Sequence, residues 1–99
     1  MAAMTEIEQN YPSASLNNVA KRCNVSAAYV SSTVKETTGK TFKEHLMEKR
    51  LTKAAALLKS TALSVGDIIV MVGYENTSYF YRIFTEKYGM RPKAYRQLK

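Results

Sequence analysis

The chain is predicted to be all-α, with about seven helices laid out as two similar halves on either side of one long central helix. Three observations lead there. Apolar residues recur at helical spacing throughout, and no period-two run is long enough to argue for a sheet. Ser, Thr and Asn at helix starts and Gly at helix ends punctuate the chain. The two halves also align with each other, as an internal repeat would.

The elements follow in order. Residues Ala2 to Tyr11 are compatible with a short helix closed by Pro12, with Ile7 as its clearest apolar contact. Ser13 or Ser15 can cap a helix over Leu16–Cys23, where Leu16, Val19, Ala20 and Cys23 form one stripe. Asn24 breaks that helix, and Ser26 is an N-cap for a third helix from Ala27 to about Thr38, ended by Gly39. In this helix Ala27, Val30, Val34 and Thr37 share a face, while Ala28, Ser31, Ser32 and Lys35 point the other way. Thr41 to Lys59 reads as one uninterrupted helix opened by a Thr41/Glu44 capping box, roughly 28 Å long at ~1.5 Å per residue. Ser64 caps a helix ending near Val72. A further helix runs from about Asn76 to Tyr88 and stops at Gly89, and Pro92 opens a last one through Leu98.

The central helix carries two apolar patches about a third of a turn apart, Phe42 with Leu46 and Leu51 with Ala54 and Leu58. Each patch is expected in the core of a different half. His45, Glu48, Lys49 and Lys59 cluster on the opposite side as a solvated face.

With 99 residues the chain makes one domain, or at most two very small ones. No run approaches the ~20 apolar residues of a membrane span, and MAAMTEIEQ lacks the features of a signal peptide, so a soluble, cytoplasmic protein is expected. The single Cys23 fits a reducing compartment and is expected to be a buried structural thiol. Fifteen basic against eight acidic groups give a formal charge of +7, which favours a polyanionic partner. The first 40 residues hold only +1 of it, from Lys21, Arg22, Lys35 and Lys40 against Glu6, Glu8 and Glu36.

Val19, Ala20, Cys23, Asn24 and Val25 match Ile68, Ile69, Val72, Gly73 and Tyr74 at a constant offset. One residue more aligns Ser26, Tyr29, Val30, Val34 and Gly39 with Asn76, Tyr79, Phe80, Phe84 and Gly89. Each half is helix, tight turn, helix, stop, which is the plan of a helix-turn-helix. The expected fold is therefore two helix-turn-helix units joined by a long central helix: residues 1–40 form the first unit, 41–59 the link and 60–99 the second.

The residues Arg50-Leu51, Ala54, Leu57-Leu58, Ser64-Val65, Ile68, Val72-Gly73-Tyr74, Ser78-Tyr79-Phe80, Arg82, Phe84, Tyr88-Gly89-Met90-Arg91-Pro92 and Tyr95-Arg96 resemble the DNA-binding domain of AraC/XylS-family transcription regulators. The resemblance runs from about Leu16 to Arg96. It implies sequence-specific binding of double-stranded DNA, with the second helix of each unit in adjacent major-groove segments. It further implies an effector-binding or dimerisation domain outside this chain, with RNA polymerase as a partner if the protein is an activator. Met1 would then begin either an isolated C-terminal domain or a short regulator. Three positions depart from the family: Asn24 replaces a frequent glycine, Ile69 a favoured alanine, and Ser32 a residue that is often long and polar or basic.

Groove reading needs outward side chains that donate, accept or touch a methyl, with phosphate contacts fixing the register. The expected base-reading residues are Ala28, Ser31 and Ser32 in the first unit and Ser78, Tyr81, Arg82 and Thr85 in the second. Arg82, able to make a bidentate contact to guanine, is foremost. The expected phosphate contacts are Ser15, Thr41, Asn76 and Thr77 at helix N-termini, with Lys35, Lys40, Arg91 and Lys93 as point charges. Recognition helices in successive groove turns lie about 34 Å apart, a span the central helix is of the right order to set.

The plainer assignments are structural. Tyr29, Tyr74, Tyr79, Tyr88 and Tyr95 are expected at the core or its edge, Arg50 in a structural role, His45 in solvent, and Glu44 and Glu48 as surface partners of lysines. No cofactor, metal or catalytic cluster is expected, so the chain does not read as an enzyme. The remaining alternative is a basic helical interaction module for an acidic partner or anionic surface, which sequence-dependent binding would separate from a regulator.

Overall fold

Capping side chains mark the starts of five of the seven described helices, all but the first and the last. The computed structural model describes residues 1–98, with seven helices and no strand among them. They are α1 Ala2–Asn10, α2 Leu16–Cys23, α3 Ala27–Thr38, α4 Phe42–Ser60, α5 Val65–Met71, α6 Thr77–Tyr88 and α7 Pro92–Gln97. The chain divides into two compact units, Met1–Lys49 and a second beginning at Arg50, and α4 contributes its first half to one and its second half to the other.

The repeat extends to individual hydrogen bonds. Ser15 Oγ accepts the Asn18 amide at 3.1 Å, and Ser64 Oγ accepts the Asp67 amide at 3.1 Å. Ser15 is thus the cap of α2. At the turns the Val25 amide donates to the Ala20 carbonyl at 3.0 Å, and the Tyr74 amide to that of Ile69 at 3.1 Å. Ser26 Oγ and Asn76 Oδ1 then accept the Tyr29 and Tyr79 amides. Gly39 and Gly89 close α3 and α6 in the left-handed conformation, their amides donating to Lys35 and Thr85 carbonyls. Asn24 holds φ 57°, the left-handed geometry that asparagine tolerates better than most residues.

The first unit has a mainly aliphatic core of Ala3, Ile7, Ala14, Val19, Ala20, Val30, Val34 and Phe42, with Leu46 packed against it. Polar ties add to it. Glu6 is 3 % exposed and accepts hydrogen bonds from Arg22 (2.9 Å) and Asn10 (3.0 Å), and Lys49 pairs with Glu8 at 2.7 Å. Thus α1 is held to α2 by an ion pair whose carboxylate is buried, with Oε1 taking both donors.

In the second unit Leu51, Ala54, Ala55 and Leu58 of α4 are buried along with Ile68, Ile69, Val72, Phe80, Ile83 and Phe84. Its centre is aromatic. Phe84 stands 5.6 Å from Phe80, 4.6 Å from Tyr88 and 5.6 Å from Tyr95, between ring centroids. Each fully buried ring of this size contributes roughly 1.5–3 kcal/mol. Arg96 fastens α7 in place: its Nε donates to the Leu58 carbonyl at 3.0 Å, and its other nitrogen donates to the Thr61 and Leu63 carbonyls. The Leu58 carbonyl in the last turn of α4, and those of Thr61 and Leu63 just beyond it, gain a donor in this way.

Three expectations are corrected, the first being Lys49, expected on the solvated face of α4 but with a side chain only 18 % exposed because it packs down to pair with Glu8 of α1. Cys23 is exposed. It lies on the apolar stripe of α2 by angle, but it is the last residue of the helix, one turn past the buried Val19 and Ala20. His45 is half-buried rather than solvated, its Nε2 2.7 Å from Thr38 Oγ1, because the C-terminal residue of α3 faces the first turn of α4.

The Thr41/Glu44 box is closed on both sides: the Thr41 amide donates to Glu44 Oε1 and the Glu44 amide to Thr41 Oγ1, each at 3.0 Å. The bonds from the Thr41 amide and hydroxyl lower the Glu44 carboxyl pKa from its usual 4.5. Because the folded value is the lower one, this contribution to stability is present above about pH 4.5 and is lost as pH falls through the lowered value. Melting curves of Glu44→Ala and the parent should therefore differ at neutral pH and converge in acid. In denaturant titrations Arg96→Ala should lose about 2 kcal/mol, since three carbonyls lose a charged donor. Arg96→Lys should recover only part of it, because one ammonium cannot reproduce the guanidinium fork.

Candidate nucleic-acid interface

The second helix of each unit, α3 and α6, carries the residues expected to read bases on its exposed or half-buried side. On α3, Ala28 and Ser32 are exposed and Ser31 is half-buried. Val30 and Val34 on the opposite side anchor the helix in the first core. Lys35 is exposed, but its Nζ donates to the Gly39 carbonyl at 3.0 Å and so caps its own helix. The α3 edge is therefore short, uncharged and able to approach another surface closely.

The α6 edge is larger and charged. Ser78, Tyr81, Arg82 and Thr85 line one open depression together with Glu86 and Arg91, so α6 and the residue opening α7 face a common surface. Phe80, Ile83 and Phe84 point inward and fix that orientation. The Arg82 guanidinium lies 5.2 Å from the centre of the Tyr79 ring. Tyr79 packs 5.9 Å from Tyr74, and Arg50 sits 5.2 Å from the other tyrosine, Tyr74. A row of cation, ring, ring and cation thus runs from the exposed Arg82 to the half-buried Arg50. Burial raises the Tyr74 phenol pKa above the usual tyrosine value, and the Arg50 charge opposes part of the rise.

The expected phosphate contacts fall into two kinds. The side chains of Ser15, Thr41 and Asn76 are engaged as caps of α2, α4 and α6. What they offer an anion is the first-turn amides they leave outward, with the positive end of the helix dipole. Thr77, Arg91 and Lys93 are exposed. Lys40 pairs with Glu48 at 3.0 Å, both side chains about half in solvent. Such a pair is worth only ~0–1 kcal/mol, so a phosphate can compete for the lysine.

Tyr29 departs from the core or core-edge position expected of it: it is 61 % exposed, in the first turn of α3. A signal was available in the repeat, since the residue matching Tyr74 is Val25, too small to cover a neighbouring ring. Among the described residues no group of His, Cys, Asp and Glu could hold a metal ion, and no helix is long and apolar enough to cross a membrane.

A family model described as a helix-turn-helix domain matches residues 19–98. The chain is similar to the HTH-type transcriptional activator RhaR of Pectobacterium carotovorum, with 39% identity over 72 residues covering 73% of this chain and 25% of that protein. It is similar also to the xylose operon regulatory protein of Escherichia coli, with 34% identity over 83 residues, 84% of this chain and 21% of the other. The chain therefore spans about a quarter of the length of such relatives. Among solved structures, the C-terminal domain of AraT, a response regulator from Geobacillus stearothermophilus, superposes with a TM-score of 0.89 at 34% identity, over 98% of this chain and 82% of that one.

Proposed function

Because the chain belongs to the AraC-type helix-turn-helix family of transcription regulators, we propose that α3 and α6 are its recognition helices, each seated in a major-groove segment of double-stranded DNA. Binding is sequence-specific and serves transcription regulation. The observation that carries the assignment of residues is the α6 surface, where four side chains suited to base edges share one depression with Arg91. Arg82 reads a base, and guanine is the partner its two parallel donors match. Ser78, Tyr81 and Thr85 supply shorter contacts around it, and Arg91 and Lys93 fix the register on phosphates.

In the first unit Ala28, Ser31 and Ser32 offer methyl contacts and single hydrogen bonds, so reading there rests on fit more than on charge. Lys35 and Lys40, and the first-turn amides beyond Ser15, Thr41, Asn76 and Thr77, complete the phosphate contacts. Within a longer cytoplasmic regulator this domain would work beside an effector-binding or dimerisation domain. RNA polymerase would be a further partner for an activator.

Selection from random duplexes should enrich one motif at physiological salt. Repeated with Arg82→Ala, it should return that motif with preference relaxed at one position, by ~1–3 kcal/mol of discrimination. An unenriched parent pool would instead favour a basic module that binds polyanions without regard to sequence. Equal weakening of all duplexes by Arg82→Ala would make Arg82 a phosphate contact.

A further inference from the structure

The two units are built alike, so a position where they differ in cover points to a difference in use. Tyr29 of α3 corresponds to Tyr79 of α6, at the third residue of a helix whose cap accepts its amide. In the second unit the Tyr79 ring is enclosed between Tyr74, 5.9 Å away, and the Arg82 guanidinium, 5.2 Å away. The residues at those two places in the first unit are Val25 and Ser32, and neither can cover a ring. Tyr29 is left 61 % exposed. Its backbone is nevertheless fixed by the 3.1 Å bond from its amide to Ser26 Oγ. Leaving a large ring in water at a fixed point of a recognition helix contributes nothing to the core.

At about 100° per residue, Tyr29 stands 100° round α3 from Ala28 and 60° from Ser32. When the Ala28–Ser32 edge faces bases, that flank turns toward the groove wall, where the phosphates lie. We propose that Tyr29 is a positioning residue of the first unit, its phenol hydroxyl donating to a phosphate oxygen of the DNA strand that borders α3. The assignment rests on the DNA-binding reading above and adds a contact to it. It also gives the first unit, with few charges on its reading edge, a neutral anchor. A neutral donor displaces no condensed counterion, so its contribution is independent of salt, unlike that of a lysine.

The test is Tyr29→Phe, which keeps the ring and removes only the hydroxyl, measured by titration of the enriched duplex and of an unrelated duplex across a salt series. Affinity should fall about tenfold on both duplexes, as expected for losing a hydrogen bond to a charged group. The slope of log affinity against log salt should not change, while Lys93→Ala in the same series should flatten it by about 1. The melting temperature of Tyr29→Phe should match the parent, since the hydroxyl is in solvent. Unchanged affinity would overturn the proposal, as would a loss confined to one base position or a slope altered as for Lys93→Ala. If the parent binds duplexes but enriches no motif, sequence-specific reading fails while the Tyr29→Phe comparison still decides the phosphate contact. A parent that binds no duplex overturns both.

Discussion

Each unit depends on one backbone constraint: a residue in the left-handed conformation that ends the first helix, followed by an amide that bonds back to the carbonyl five residues earlier. In the first unit these are Asn24 at φ 57° and the bond from Val25 to Ala20; in the second, Gly73 at φ 104° and the bond from Tyr74 to Ile69. Most L-residues would add roughly 1–2 kcal/mol of strain at such a position, which is why asparagine and glycine occupy it. The turn sets where the next cap stands and hence which face of α3 or α6 is turned outward. It is also where the repeat changes register, because the second unit carries one more residue, Glu75, between its turn and its cap Asn76. Before that point the halves align at an offset of 49, and after it at 50.

On this shared frame the two units solve the packing problem differently. The first fills a small aliphatic core and supplements it with the buried Glu6 held by Arg22. The second builds outward from Phe80 and Phe84, and its aromatic contacts continue to the half-buried Tyr74 and Tyr79. Larger rings at the periphery give the second unit a platform that the first lacks. The charge follows the same division, since most of the net +7 lies beyond residue 40.

What was legible in the sequence was local. Ser26, Gly39, Ser64, Asn76 and Gly89 act on amides and carbonyls within one turn of themselves, so α3 and α6 could be bounded to within a residue and their outward edges listed from periodicity. What was not legible depends on partners distant in sequence. Glu6 is buried because Arg22 reaches it, His45 is half-buried because Thr38 faces it, and Arg96 bonds carbonyls more than thirty residues away. Cys23 shows the limit of angular reasoning: periodicity gives direction round a helix but not where along its length the cover stops. Among the candidate site residues, the edges of α3 and α6 were readable. The use of Ser15, Thr41 and Asn76 as caps qualifies what their side chains can offer, leaving first-turn amides as the groups an anion would meet.

The ring beneath Arg82 bears directly on how the second unit would read a base. An exposed arginine loses up to about 2 kcal/mol of rotamer freedom when it is fixed in a bidentate contact. The Arg82 guanidinium lies 5.2 Å from the centre of the Tyr79 ring, which itself packs on Tyr74, so its rotamer freedom at the α6 edge would be reduced before any contact with DNA. Part of that ordering would then be done in folding, and a bidentate contact made from this position would cost less side-chain entropy. Ser32, at the matching place in the first unit, has little freedom to lose and little reach, so contacts there depend on how closely the α3 backbone approaches the groove. On the proposed reading, that approach would be set by the contacts that hold the flanks of α3 against the phosphates. A short reading edge and an exposed Tyr29 with its backbone fixed beside it would then be two parts of one arrangement, in which the second unit would read by reach and the first by proximity.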